Sequence, residues 1–170
     1  MSDRREGRDG WLWMVLYSVW GVALAGQLAL LFLLSAGGLT WLRIAGWALF
    51  AVSAVLGWGP IFAFLRRGGV ARGRAYVHTT QLVTSGLYAV VRHPQYLAGD
   101  FIAVAVMCIT QHWGALVAGL VAVVTNRLSM LKADRGLLAK FGEPYREYMK
   151  RVPRASLAVG LSRWVLTKRR

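Results

Sequence analysis

An all-α integral membrane bundle of about four transmembrane helices, with a helical cytoplasmic segment toward the C-terminus, is the fold class this sequence predicts. Three observations predict it. Hydrophobic residues make up 56% of the 170 positions and charged ones only 16%, a balance too apolar for an ordinary soluble domain of this length. Residues 10–36 carry no charge, and residues 39–65 carry only Arg43. Each run is long enough to cross a hydrocarbon core of about 30 Å as a helix with some tilt.

The first span is expected over residues 11–36. Its apolar stretch exceeds the roughly 7–15 residues of a signal-peptide core, and Ser35-Ala36 makes a poor cleavage site, so a retained helix is expected. The second span, 39–65, contains Gly57-Trp58-Gly59-Pro60. A proline there removes a backbone hydrogen bond and crowds the preceding turn, so a kink is expected, either opening a cavity or serving plain packing. Trp11 and Trp13 stand at the inner end of the first span, and Trp41 and Trp113 at the outer face, where amphipathic rings prefer the interface. Arg43 reads as a snorkelling cation near that outer face.

Residues 66–76 form a basic, glycine-rich connection without the glycine–lysine spacing of a phosphate-binding loop. The next segment, 76–96, is polar at the mouth of an apolar run. Thr84-Ser85-Gly86 predicts a turn. Arg92-His93-Pro94 predicts an extended His93, since the residue before proline is pushed away from helical geometry, with Pro94 opening the next helix. A helix start beside Arg92 suits an anionic group; the plainer alternative is that Arg92 and His93 only cap the helix at headgroup level.

Residues 97–110 are apolar except for Asp100, and residues 113–124 are apolar again after Gln111-His112. Extended to 94–110 and 113–131, the two pieces make a third and a fourth span joined by a tight turn; a re-entrant hairpin is the alternative. An ionisable group within a span is costly and needs a role. Asp100 is expected to pair with Arg127 or Lys132, ahead of reaching the headgroups or serving a site. The single cysteine, Cys108, sits in an apolar run and reads as a buried structural thiol.

Cations set the orientation. Arg4, Arg5 and Arg8, five arginines between 66 and 92, and twelve lysines or arginines from 127 onward all fall on one side; only Arg43 falls on the other. Both termini are therefore expected in the cytoplasm. The net charge of +14 flanks apolar spans and accompanies no nucleic-acid-binding motif, which points to anionic lipid headgroups and away from nucleic acid.

In the second polar block, residues 132–154, Leu138, Phe141, Tyr145, Tyr148 and Val152 recur at helical spacings with Leu131 and define one apolar-aromatic face. Gly142 suits the end of one helix and Pro144 the first turn of another. Packing against lipid or the spans accounts for Tyr145 and Tyr148. In the tail, 156–170, Leu157, Leu161, Trp164 and Val165 share a face ahead of a Lys-Arg-Arg end, the pattern of an interfacial amphipathic helix. No repeat or linker divides the chain, so 1–170 reads as a single membrane domain.

Two motifs together carry a resemblance. Leu82-Val83-Thr84-Ser85-Gly86-Leu87-Tyr88, followed by Arg92-His93-Pro94-Gln95-Tyr96, is the first. Leu137-Leu138-Ala139-Lys140-Phe141-Gly142-Glu143-Pro144-Tyr145-Arg146-Glu147-Tyr148, followed by Arg151-Val152-Pro153-Arg154, is the second. Residues 76–154 thereby resemble the isoprenylcysteine carboxyl methyltransferases and the related phospholipid methyltransferases. The resemblance implies an integral-membrane methyltransferase that takes S-adenosylmethionine from the cytoplasm and a lipophilic acceptor (carboxylate, thiol or amine) from the bilayer.

It also implies cofactor contacts at Thr80, Gln81, Leu82, Val83, Tyr88, His93, Pro94, Gln95, Tyr96, Asp134 and Leu138. Arg92, His93, Tyr96 and Asp134 are implied at the chemistry, with no metal. Tyr88, Tyr96 and Leu138 are expected to wall the adenine, and Arg92 to meet the cofactor carboxylate. Two departures stand out. Ala133 and Asp134 occupy positions where the family has paired glutamates, and Ala98 occupies a family glycine position. A non-catalytic lipid-binding or scaffold member that has lost turnover is the alternative, and a membrane reductase using a nicotinamide cofactor is a third.

Overall fold

The computed structural model describes residues 3–34, 38–67 and 80–168. Six α-helices account for most of them: α1 Asp3–Leu33, α2 Thr40–Arg67, α3 Pro94–Thr110, α4 Trp113–Phe141, α5 Glu143–Arg151 and α6 Leu157–Lys168. One 3-10 turn, Gly86–Ala89, precedes α3. No strand occurs among the described residues, so the predicted all-α class holds. Parts of the 66–76 connection, the start of the 76–96 segment and the final Arg-Arg lie outside the described residues.

Three helices have the length and apolarity to cross a membrane: Gly10–Leu33 within α1, Thr40–Arg66 within α2, and α4. The apolar windows of the first two are only 11% and 17% buried within the protein. Val22, Phe32, Ile44, Val55 and Trp58 accordingly present apolar surface outward, as a lipid-facing helix must. The fourth expected span, α3, has 17 residues. At ~1.5 Å per residue it covers about 26 Å, short of the roughly 30 Å core. The shortfall arises because Pro94 fixes its start and Gln111 its end.

The chain forms two compact units, residues 1–53 with 99–132, and residues 54–98 with 133–170. In the first, Leu24, Ala103 and Ala122 make a small core with Trp20, Ile102 and Val123 packed against it. Gln27 is fully buried there, and its Nε2 donates to the carbonyls of Ala103 (3.1 Å) and Ala115 (2.9 Å). The expected turn is present at Gln111, whose φ is +48°. Its amide side chain accepts from Leu39 N–H (2.8 Å) and donates to Leu39 C=O (2.9 Å), which holds that uncommon backbone. Asp100 is buried and accepts from Asn126 Nδ2 at 2.7 Å, with Arg127 Nη2 2.7 Å from its other oxygen. Its role is the structural pairing anticipated. Cys108 is half-buried, less enclosed than its apolar run suggested.

In the second unit, α2 continues through Pro60, which is fully buried. A Cβ on Gly59 would lie 2.5 Å from Leu87 Cδ1. The glycine–proline stretch thus makes room for a packed leucine. α4 ends at Phe141, Gly142 takes φ +61°, and α5 starts with Pro144 in its first turn, as expected. Tyr145, Tyr148 and Val152 are buried with Leu82, Leu137, Leu138 and Phe141 around them. The predicted apolar-aromatic face is therefore a core, except that Leu131 is exposed.

Candidate functional site: a buried carboxylate with four donors

The site is built within the second unit from two stretches of chain that meet through their backbones. Arg92 N–H donates to Pro153 C=O (3.0 Å), and His93 N–H donates to Arg154 C=O (3.1 Å). This short pairing is available because Pro94 keeps His93 out of the helix, leaving both N–H groups free to point sideways. His93 C=O then accepts from Leu97 N–H (3.0 Å), so His93 also begins α3. A further tie is Tyr148 Oη, which donates to Tyr88 C=O at 2.6 Å.

Side chains from both stretches converge on Asp134, near the C-terminal end of α4. Its Oδ1 accepts from Arg92 Nη1 (3.0 Å) and Tyr145 Oη (2.6 Å), and lies 2.6 Å from His93 Nε2. Its Oδ2 accepts from Arg154 Nε at 2.6 Å. Asp134 is 4% exposed, Arg92 8% and His93 4%. A carboxylate this far from water is tolerable only with its lone pairs satisfied, and here four donors satisfy them. A carboxylate cannot donate, so the proton on the His93–Asp134 contact sits on Nε2; in the neutral ring Nδ1 is then the acceptor nitrogen.

Burial raises the Tyr145 phenol well above its usual range, and the hydrogen bond to the Asp134 carboxylate raises it further. Tyr148 is raised likewise by burial and then by Tyr145. Both remain protonated donors. Two permanent cations, Arg92 and Arg154, surround one carboxylate, so the cluster keeps at least one unit of positive charge even with His93 neutral. Arg92 Nε is buried and has no hydrogen-bond partner.

The structure thus brings Arg92, His93 and Asp134 together. Tyr96 packs edge-on against the His93 ring, centroids 5.4 Å apart. Leu82 and Leu138 pack on the Tyr145–Tyr148–Val152 core, Val83 and Pro94 are buried, and Gln95 is half-buried in the first turn of α3. Thr80 and Gln81 are exposed. Tyr88 packs at a tilt against Phe64 (5.1 Å), Tyr96 edge-on against His93, and Leu138 joins the core. Arg92 commits Nη1 to Asp134, while its Nε makes no hydrogen bond.

Sequence reasoning passed over Tyr145, read as packing only, and Arg154. Their signal was a question of supply. An acid on the buried side of a helix needs donors, and the tyrosine and arginine of the second motif were the nearest unassigned ones. Ala133 is half-buried and next to Asp134 in the helix, where adjacent residues point about 100° apart.

A family model described as phospholipid methyltransferase matches residues 41–141, which include Arg92, His93 and Asp134. No curated protein and no solved structure matches the chain.

Proposed function

The chain belongs to the phospholipid methyltransferase family, and on that premise we propose that it transfers a methyl group from S-adenosylmethionine to a lipophilic acceptor carried in the bilayer. Family and apolar helices together make it an integral membrane protein. The observation that carries the functional reading is the Asp134 cluster. It fastens the Arg92–His93 and Tyr145–Arg154 stretches into one polar unit, centred on a buried carboxylate, with surplus positive charge.

The residues present fit the cofactor. Its carboxylate is matched by that surplus charge and by the unpartnered Arg92 Nε. Leu82, Val83 and Leu138 offer apolar cover for the adenine, while Thr80, Gln81 and Gln95 offer polar groups for the ribose hydroxyls and the ammonium. When bound, S-adenosylmethionine supplies an electrophilic methyl on a sulfonium, so the protein's task is alignment and exclusion of water. Asp134 holds Arg92 and His93 in place, and Tyr96 packs the His93 ring from the side. His93 Nδ1 is the atom that accepts a proton when the acceptor is an amine. The acceptor class is an amine, a thiolate or a carboxylate of a lipid-soluble molecule entering from the membrane.

A second reading is favoured by one observation, the alanine at position 133. If the lost acid served turnover alone, the chain binds the cofactor and a lipid without transferring methyl. Methyl-labelled cofactor incubated with the purified protein and membrane lipid extract separates the two. Label in the lipid fraction, lost in His93→Ala, supports the enzyme. Saturable cofactor binding with no label transferred to lipid, thiol or amine acceptors supports the non-catalytic member.

A further inference from the structure

Apart from the Asp134 cluster, the second unit contains a cavity of about 500 Å³, within the range that holds a small ligand. Lys150 and Arg151 at the end of α5, Arg163 and Trp164 on α6, and Thr84 of the preceding segment are among its lining residues. Among the described residues that line it, none is acidic. Lys150 is paired with Glu147 (2.5 Å), while among the described residues Arg151 forms no salt bridge and its Nε makes a long 3.5 Å contact with Glu147 C=O. Arg163 Nη1 lies 3.5 Å from Arg151 C=O, which keeps the two guanidinium groups on neighbouring stretches of chain.

We propose that this cavity binds the phosphate of an acidic phospholipid as a resident ligand, separate from the methyl acceptor. Two guanidinium groups and an ammonium in one lining, with no acid among the described lining residues, suit a phosphate. The apolar side chains beside them select a lipid over free phosphate. Trp164 and Leu166 line the cavity, and Val159, Leu161 and Val165 extend exposed apolar surface along the same helix. A headgroup with attached acyl chains satisfies both halves at once. No member of the Asp134 cluster lines the cavity, so its occupant is not the group aligned there.

The site also has a structural consequence. α6 approaches the 84–90 segment so closely that a Cβ on Gly160 would lie 2.0 Å from Val90 C=O. A lipid phosphate gripped by Arg151 and Arg163 clamps α6 against the segment that leads into Arg92 and His93.

The test uses the full chain in uncharged detergent and does not depend on methyl transfer. Dihexanoyl-phosphatidylglycerol, dihexanoyl-phosphatidylcholine, inorganic phosphate and S-adenosylmethionine are titrated separately and in competition, with bound lipid counted by native mass spectrometry. The expected result is one phosphatidylglycerol per chain, bound at least about tenfold more weakly by the Arg151→Ala/Arg163→Ala double variant. Arg135→Ala/Arg146→Ala, which removes two exposed cations outside the cavity, leaves binding unchanged. Thr84→Trp fills the cavity without removing charge and weakens binding as the double variant does, which guards against a folding defect in the latter. Equal binding of phosphatidylcholine or of inorganic phosphate, equal loss in the control variant, or displacement of the lipid by S-adenosylmethionine would each overturn the proposal.

Discussion

Asp134 has four donors on two oxygens while being almost wholly removed from water. A group in that position is sensitive to the loss of any partner, and the buried Arg92 depends on it in turn for a counter-charge. Asp134→Ala is therefore expected to destabilise the protein by about 3–5 kcal/mol, since it leaves the buried Arg92 guanidinium without its counter-charge. Tyr145→Phe removes one charge-assisted hydrogen bond and should cost about 1.5–3 kcal/mol. Denaturant unfolding in detergent measures both, and the tyrosine change should be the smaller. The phenols predict a pH dependence as well. Burial raises Tyr145 and Tyr148 above the ordinary phenol value. Their contribution to stability is whole below pH ~10 and is lost as pH rises from there through the folded-state values. Phenolate absorbance should show these two titrating last, and only as the protein opens. At this scale the sequence marked Arg92, His93 and Asp134 by motif. It left Tyr145 and Arg154 unassigned because nothing local says that a tyrosine on an apolar face turns its hydroxyl toward an acid.

Elements were the most legible scale. Pro94 as a helix start, Gly142 as a break and Gln111-His112 as a turn could be read because each depends on the backbone geometry of one or two residues. The pairing of residues 92–93 with 153–154 was not legible, since it joins stretches sixty residues apart through main-chain atoms that carry no sequence signature. Gly142 takes φ +61° and ψ −133°, a region that glycine alone occupies comfortably. Gly142→Ala should cost about 1–3 kcal/mol by straining the junction of α4 and α5. Gly160→Val acts elsewhere, driving a side chain into Val90 C=O. Limited proteolysis should show α6 released early in Gly160→Val and in step with global unfolding in Gly142→Ala.

For the whole molecule, composition announced a lipid environment, and the outward apolar faces of α1 and α2 agree with it. The number of crossings was harder to read, because α3 is bounded by proline and a tight turn at a length just under a full span. We propose both termini on the cytoplasmic side, which requires α3 to cross with local thinning or flanking side chains making up its length. Reporter fusions at the two ends should both report the cytoplasm. Opposite sides would mean that α3 is re-entrant.

The central claim is that the Asp134 cluster joins two stretches of chain into a cofactor site, and a binding isotherm for S-adenosylmethionine tests it most directly. The intact protein should bind with a Kd below ~1 mM, and Tyr145→Phe, checked to be folded, should bind at least about tenfold more weakly. No saturable binding by the intact protein, or an unchanged isotherm in folded Tyr145→Phe and His93→Ala, would contradict it.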